Sequence, residues 1–457
     1  MKAFILVTIL LSAVLGLLPT KTTMFPTKDV NTKDFYEKLG FFAPKLADQG
    51  HAGQTLIGID VSAWWHFKSQ SKSDTAPLVI CLSMGPGVSS MVEMTNGLGP
   101  FKSVVDLESL NQWWTNNPHA LNMHADVLFI DMMTKGGYSR FSSTSMLPAV
   151  AQLDVYWKHI EKILTEELLM PRTALLGRSI YLHGTGYTTK FLPGLVTLFK
   201  MKNYSVKGVS ASSPMLSAYH SVKGSYLWAV NNNMISEDVL ASQEQMLNFL
   251  PLITKTKDEG AKGTIQRLLN ILYGTKKVFK PVNYLDLMEQ CVAYHKACLK
   301  AEYPRTVFHN NPRFQMVSGI MKTKFEVIDL KFSQNPYDSD LFMLDVTGDY
   351  AELLNNGVKV LFTAGDYNVF SSWYGTLEAA SNLEWAHKGL FQNQTPNKLP
   401  YGSAKGAENL GFVKLDGAGF VISEMRAKEL VNAIYENLLD IEPKAPAESA
   451  KESKMKM

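Results

Sequence analysis

Apolar residues along this chain occur in two textures. Short continuous runs alternate with longer stretches in which apolar positions recur at helical spacing. A continuous run reads as a strand buried on both faces, and the periodic stretch as a helix packed along one stripe. The runs at 76–82, 126–131, 206–210, 358–364 and 410–415 predict buried strands, and 151–168 and 425–439 predict helices. Ahead of them, 54–61 and 63–67 read as a hairpin, after a short helical pattern at 32–39. Strands alternating with helices imply a mostly parallel sheet covered on both faces.

The texture changes at 215–323, where apolar residues such as Val239, Met246, Leu247, Phe249 and Leu250 fall at helical spacing. Ser236 is a good N-cap there, with Glu237 and Asp238 in the first turn. A helix-rich insertion at 215–323 is therefore expected to split a core made of 21–214 and 324–441. Residues 442–457 are mostly Pro, Ala, Lys, Glu and Ser, too poor in apolar groups to pack, and read as a disordered tail. Met1-Lys2 and the apolar run at 3–18 fit a secretory signal peptide over 1–20. The run is short for a membrane span, although no Ala-x-Ala cleavage pattern follows and an uncleaved anchor is the alternative. No second run of spanning length occurs, so a soluble mature protein is expected.

Composition narrows the classes further. The 457 residues are 46% hydrophobic and 19% charged, enough for a substantial core. A net charge of +3 gives no footing for nucleic acid or an anionic membrane. The cysteines are Cys81, Cys291 and Cys298. Cys291 and Cys298 are close enough in sequence to close a small loop, whereas Cys81 sits in an apolar run and reads as a buried free thiol. Asn203 and Asn393 begin sequons, which are candidate glycan sites in a secretory chain. No repeat, metal-ligand spacing or phosphate loop is present, so no cofactor or metal is expected.

The stretch 176–193 carries the chemical question. It reads as a buried strand, a sharp turn at Gly184-Thr185-Gly186, and a helix, the shape of an elbow that presents a nucleophile. At the apex stands Gly186, which takes a positive φ without strain but has no atom to attack a carbonyl.

Five ordered segments resemble the serine carboxypeptidases, the S10 peptidases. Pro77-Leu78-Val79 with Gly85-Pro86-Gly87-Val88-Ser89-Ser90 and Leu98-Gly99-Pro100-Phe101 is similar to the family's Pro-Leu-Val…Gly-Gly-Pro-Gly-Cys-Ser-Ser…Leu-Gly-Pro-Phe. Asn117-Pro118…Asn122…Ala125-Asp126-Val127-Leu128-Phe129-Ile130-Asp131 resembles its Asn-Pro-x-x-x-Asn…Ala-Asn-x-Leu-Phe-x-Asp. Gly184–Pro193 resembles Gly-Glu-Ser-Tyr-Ala-Gly-x-Tyr-x-Pro. Ala364-Gly365-Asp366-Tyr367-Asn368…Trp373-Tyr374-Gly375 and Gly417-Ala418-Gly419-Phe420 resemble its acid and histidine segments. The resemblance spans about 35–440 and implies an α/β-hydrolase fold with a mostly parallel sheet and a helical cap.

It also implies lost chemistry. The family's nucleophile falls on Gly186, its acid on Asn368 and its histidine on Phe420. A triad works as a unit, and a phenyl ring passes no proton. The positions of the family's carboxylate-binding asparagine and two glutamates look like Ser83, Gly97 and Thr185. Its oxyanion donors are backbone N–H groups at positions resembling Gly85 and Tyr187, which alone stabilise nothing. The chain is therefore expected to be a secreted or lumenal pseudoenzyme, extracellular or lysosomal or vacuolar. It would bind a peptide, an apolar ligand or a protein partner, and the family's habit adds a possible homodimer. The alternative is a residual hydrolase or acyltransferase using Thr185 or Thr188. A packaging or structural role in a secretory granule or lysosome is a third reading. His183 reads as a strand histidine bonded to backbone, Asp366 as a carboxylate holding loop N–H groups, and Ser89 and Ser90 as helix-start hydroxyls. Trp64, Trp65, Trp113, Trp114 and Trp373 read as core and rim packing.

Overall fold

The computed structural model describes residues 23–24, 50–71, 73, 75–82, 84–85, 87–105, 112–131, 136–141, 149–168, 170–256, short pieces between 263 and 327, and 340–441. The expected signal segment, the helical pattern at 32–39, Ser83, Cys291, Cys298 and the tail lie outside the described residues.

The strands are β1 Thr23–Met24, β2 Gly50–Ile57, β3 Asp60–Phe67, β4 Leu78–Leu82, β5 Phe101–Val105, β6 Gln112–Asn116, β7 Asp126–Ile130, β8 Ser179–Thr185, β9 Ser205–Ser212, β10 Val282–Asn283, β11 Asp286–Gln290, β12 Lys359–Gly365, β13 Asn397–Leu399, β14 Gly402–Ala407 and β15 Leu410–Leu415. Eleven of them form one sheet in the order β1-β2-β3-β7-β4-β8-β9-β12-β15-β14-β13. From β7 to β15 every neighbouring pair is parallel, and the outer strands on both sides are antiparallel. β4 and β7 are buried at every position, as continuous apolar runs covered on both faces must be. This is the α/β-hydrolase fold.

The main helices are α1 Ala149–Lys162, α2 Leu192–Met201, α3 Ala218–Asn231, α4 Glu237–Thr256, α5 Thr347–Asn355, α6 Trp373–Ser381 and α7 Ile422–Ile434. α1 is fastened to the elbow helix by edge-to-face aromatic pairs, Tyr156 with Phe191 at 4.8 Å and Trp157 with Phe199 at 5.0 Å. Between β9 and β12 the described residues include α3, α4 and the antiparallel pair β10–β11, a hairpin that helical periodicity did not foretell. Ser236 precedes α4, and Ser217 caps α3 by accepting from the His220 N–H. Among the described residues no helix is long and apolar enough to cross a membrane.

Two boundaries differ from the sequence expectation. The β2–β3 hairpin turns at Gly58-Ile59, ahead of the expected break, because Gly58 takes a φ of +64°. Helix α7 starts at Ile422 rather than Met425, since Val421 and Ile422 are already buried. It kinks at Arg426, whose Nε donates to the Asp416 carbonyl at 2.7 Å.

Candidate functional site

Strand β8 lies at the middle of the parallel set, between β4 and β9. Loops leaving the carboxyl ends of β4, β8, β12 and β15 meet there, the usual place for a ligand site in an open α/β sheet. Thr185 keeps extended geometry, with φ −122° and ψ 140°, and Gly186 turns the chain with φ +62°. Thr188 Oγ1 accepts from the Thr185 N–H at 3.1 Å and donates to the Thr185 carbonyl at 3.0 Å. Thr189 Oγ1 donates to the Gly186 carbonyl at 2.5 Å. These bonds hold a strand-to-helix elbow of the expected form.

The apex is filled from outside. A Cβ placed on Gly186 would stand 2.5 Å from Cζ and 3.2 Å from Cε1 of Phe420, and 3.0 Å from the Met84 carbonyl oxygen. The phenyl ring therefore occupies the space into which a nucleophilic side chain would project. It is held edge-on to Phe370 at 6.0 Å, and its carbonyl accepts from Ser213 Oγ at 2.8 Å. Gly186 and Phe420 are thus packed together, the ring plugging the apex of the elbow.

Asn368 is fully buried and closes its own loop. Its Oδ1 accepts from the Ser371 N–H at 3.0 Å, and its Nδ2 donates to the Ser371 carbonyl at 2.9 Å. Gly85 and Tyr187 lie against each other, because a Cβ on Gly85 would come within 2.8 Å of Tyr187 Cβ. Gly97 has a φ of +134°, and Ala427 Cβ stands 2.5 Å from where its own Cβ would be. No side chain fits at Gly97 unless α7 moves. Thr185 Oγ1 donates to Glu93 Oε1 at 2.6 Å.

Glu93 is a residue the sequence reading passed over. A glutamate in Met91-Val92-Glu93 looks like the solvent side of a helix start, yet it is buried under the elbow. His183 Nε2 lies 3.6 Å from Glu93 Oε1, and His183 Nδ1 makes a 3.0 Å bond with Ser210 Oγ. His183 is therefore partnered by side chains, not by backbone as its strand position suggested. Cys81 pairs with His183 across β4 and β8; burial, and then Glu93, push its thiol well above the ordinary value. Glu93, Thr185, His183 and Ser210 together form a sealed polar cluster beneath the plug.

A second serine–histidine contact joins Ser217 Oγ to His220 Nδ1 at 2.7 Å. Ser217 is 2% exposed, and the same oxygen accepts the His220 N–H at 3.2 Å. That is the bonding of a helix cap. Burial lowers the His220 pKa, with Glu378 and Asp345 opposing. Asp366 Oδ1 accepts from the Gly417 N–H at 2.7 Å, holding the loop that carries Phe420, and burial raises its pKa. Ser89 and Ser90 do more than start a helix, since both hydroxyls donate to the buried Asp131 Oδ1 at 2.9 and 2.7 Å. Trp64 and Trp65 are buried, while Trp373 stacks on Tyr374 at 3.8 Å; the side chains of Trp113 and Trp114 lie outside the described residues. Asn203 and Asn393 are exposed.

This geometry defines an α/β-hydrolase scaffold with an elbow and a filled apex. The serine carboxypeptidase family model matches residues 62–439, and the chain belongs to that family. It is 22% identical over 394 residues to carboxypeptidase Y of Schizosaccharomyces pombe, covering 79% of this chain and 38% of that protein. It is 23% identical over 455 residues to serine carboxypeptidase-like 49 of Arabidopsis thaliana, covering 87% and 82%. Among solved structures it resembles the prohormone-processing carboxypeptidase Kex1(delta)p of Saccharomyces cerevisiae, with a TM-score of 0.66 and 17% identity over 85% of this chain and 91% of that one.

Proposed function

We propose that this serine carboxypeptidase relative is a catalytically inert member of its family that acts by binding. Its occupant would be a peptide, an apolar ligand or a partner protein. The observation that carries the reading is the Phe420 ring standing where the side chain of residue 186 would project. Support is wider than one missing atom. The base position carries a phenyl ring, the Asn368 amide is spent on Ser371, and Gly97 is closed by Ala427. The other hydroxyls of the elbow are committed as well, Thr185 to Glu93 and Thr188 to the Thr185 backbone. The route through the secretory pathway rests on the apolar run after Met1-Lys2.

Intact-mass measurement after treatment with a fluorophosphonate probe tests the reading, alongside hydrolysis of blocked dipeptides. The native chain is expected to take up no stoichiometric adduct and release no C-terminal residue. A triple variant, Gly186→Ser with Asn368→Asp and Phe420→His, is the comparison and is expected to gain probe labelling. Stoichiometric labelling of the native chain at Thr185, Thr188 or Ser217, with turnover lost on its substitution, would establish the hydrolase or acyltransferase reading instead.

A further inference from the structure

Helices α1, α2 and α5 line a cavity of about 690 Å³ that Gly186 and Phe420 do not line. Leu153, Phe191, Val196 and Leu353 give it apolar walls. Val150 and Met201 also line it, and they are 81% and 72% exposed. Both are apolar side chains that line the cavity and are still left largely in water, so a hydrocarbon group in the cavity could cover them. The contrasting group is Lys190, which lines the same cavity yet is only 4% exposed. Its Nζ donates to the carbonyls of Leu344 and Phe342. An ammonium has three protons, so one donor is left beyond those two carbonyls. Among the described residues no carboxylate lies within ion-pair distance of this cation.

We propose that the cavity binds an amphiphilic monocarboxylate, with its carboxylate against Lys190 Nζ and its hydrocarbon tail along the apolar walls toward Val150 and Met201. The inference is independent of whether the chain is catalytically inert. A buried cation without a counter-ion is costly, and a ligand carboxylate supplies the missing charge where the walls already suit a tail. The other charged groups nearby are Lys200, Asp349 and Glu352, which line the cavity, and Asp345 beside it. All four are exposed, so water and salt screen them far more than they screen Lys190. Burial pushes the Lys190 ammonium down to about 7, with Asp345 pulling the other way. An anion that favours the charged form must then bring a proton with it above neutral pH.

Titration calorimetry of sodium decanoate into the full chain tests this, at about pH 6.5 and about pH 8.5 in buffers of different ionisation enthalpy. Saturable binding at one site is expected, weakening by roughly tenfold per pH unit above neutrality, with uptake approaching one proton at the higher pH. Decanol, which has the tail without the charge, is expected to bind at least about tenfold more weakly at the lower pH. Lys190→Met should lose about tenfold or more and the pH dependence, while Lys200→Met at the rim should change affinity by less than about threefold. Absence of saturable binding, equal affinity for decanol, or a loss of about tenfold or more in Lys200→Met overturns the proposal, and all three readings stand even where Lys190→Met does not fold.

Discussion

Gly186 and Phe420 are two halves of one packing solution. The hydrogen at one position makes room for the ring at the other. Gly186→Ser brings two costs: a side chain at φ +62°, about 1–2 kcal/mol, and overpacking against Phe420, typically about 1–3 kcal/mol. Phe420→Ala removes the obstacle but leaves a void costing about 3 kcal/mol. The pair should therefore be coupled. In urea denaturation the double variant should be more stable than the sum of the single changes by about 1 kcal/mol or more. Strict additivity would mean that the ring does not rest on Gly186. The same reasoning separates the alternatives at the elbow: a restored serine regains room only when Phe420 is shortened.

At the scale of elements, the end of β7 is tied to the segment after β4 through Asp131. Its Oδ1 receives the Ser90 N–H at 2.6 Å and the hydroxyls of Ser89 and Ser90. Burial still dominates and raises its pKa from the usual 3.8 to about 6, with the serine hydrogen bonds opposing. A folded-state value above the unfolded one means that the folded chain holds this proton more tightly. The stability Asp131 contributes is therefore complete below about pH 4 and is lost as pH rises through about 6. Urea midpoints measured between pH 4 and 8 should show this falling component, and Asp131→Asn should remove it. An unchanged slope in that variant would assign the pH dependence to other groups. The apolar runs also explain which strands were legible: β4, β7 and β12 are nearly uninterrupted because both faces are covered. The hairpin was misplaced because Gly58, not a break in apolar patterning, sets its turn.

At the scale of the molecule, the two sequons stand at the surface. Asn203 occupies a turn after α2, and Asn393 ends the short helix Lys388–Asn393. Passage through the secretory pathway should add carbohydrate at both. Peptide mapping after deglycosylation in heavy-oxygen water would then show Asn203 and Asn393 converted to labelled aspartate, and unmodified asparagine at both would count against that route. The family match spans residues 62–439, and the eleven-stranded sheet runs through most of that length. The scaffold and the site are maintained by different residues: a sheet needs apolar strands, whereas acyl transfer needs three particular side chains.

The amino-acid sequence by itself determined the strand runs, the parallel sheet, the elbow and the identities at 186, 368 and 420, because each is a local pattern or a residue type. That Phe420 packs onto Gly186 was decided only by the tertiary structure, since the two are far apart in the chain and meet where loops from β8 and β15 converge. The burial of Glu93 with His183 and of Lys190 beside an apolar cavity was decided the same way. Burial is a property of what packs on a side chain from distant segments, and no spacing along the chain records it.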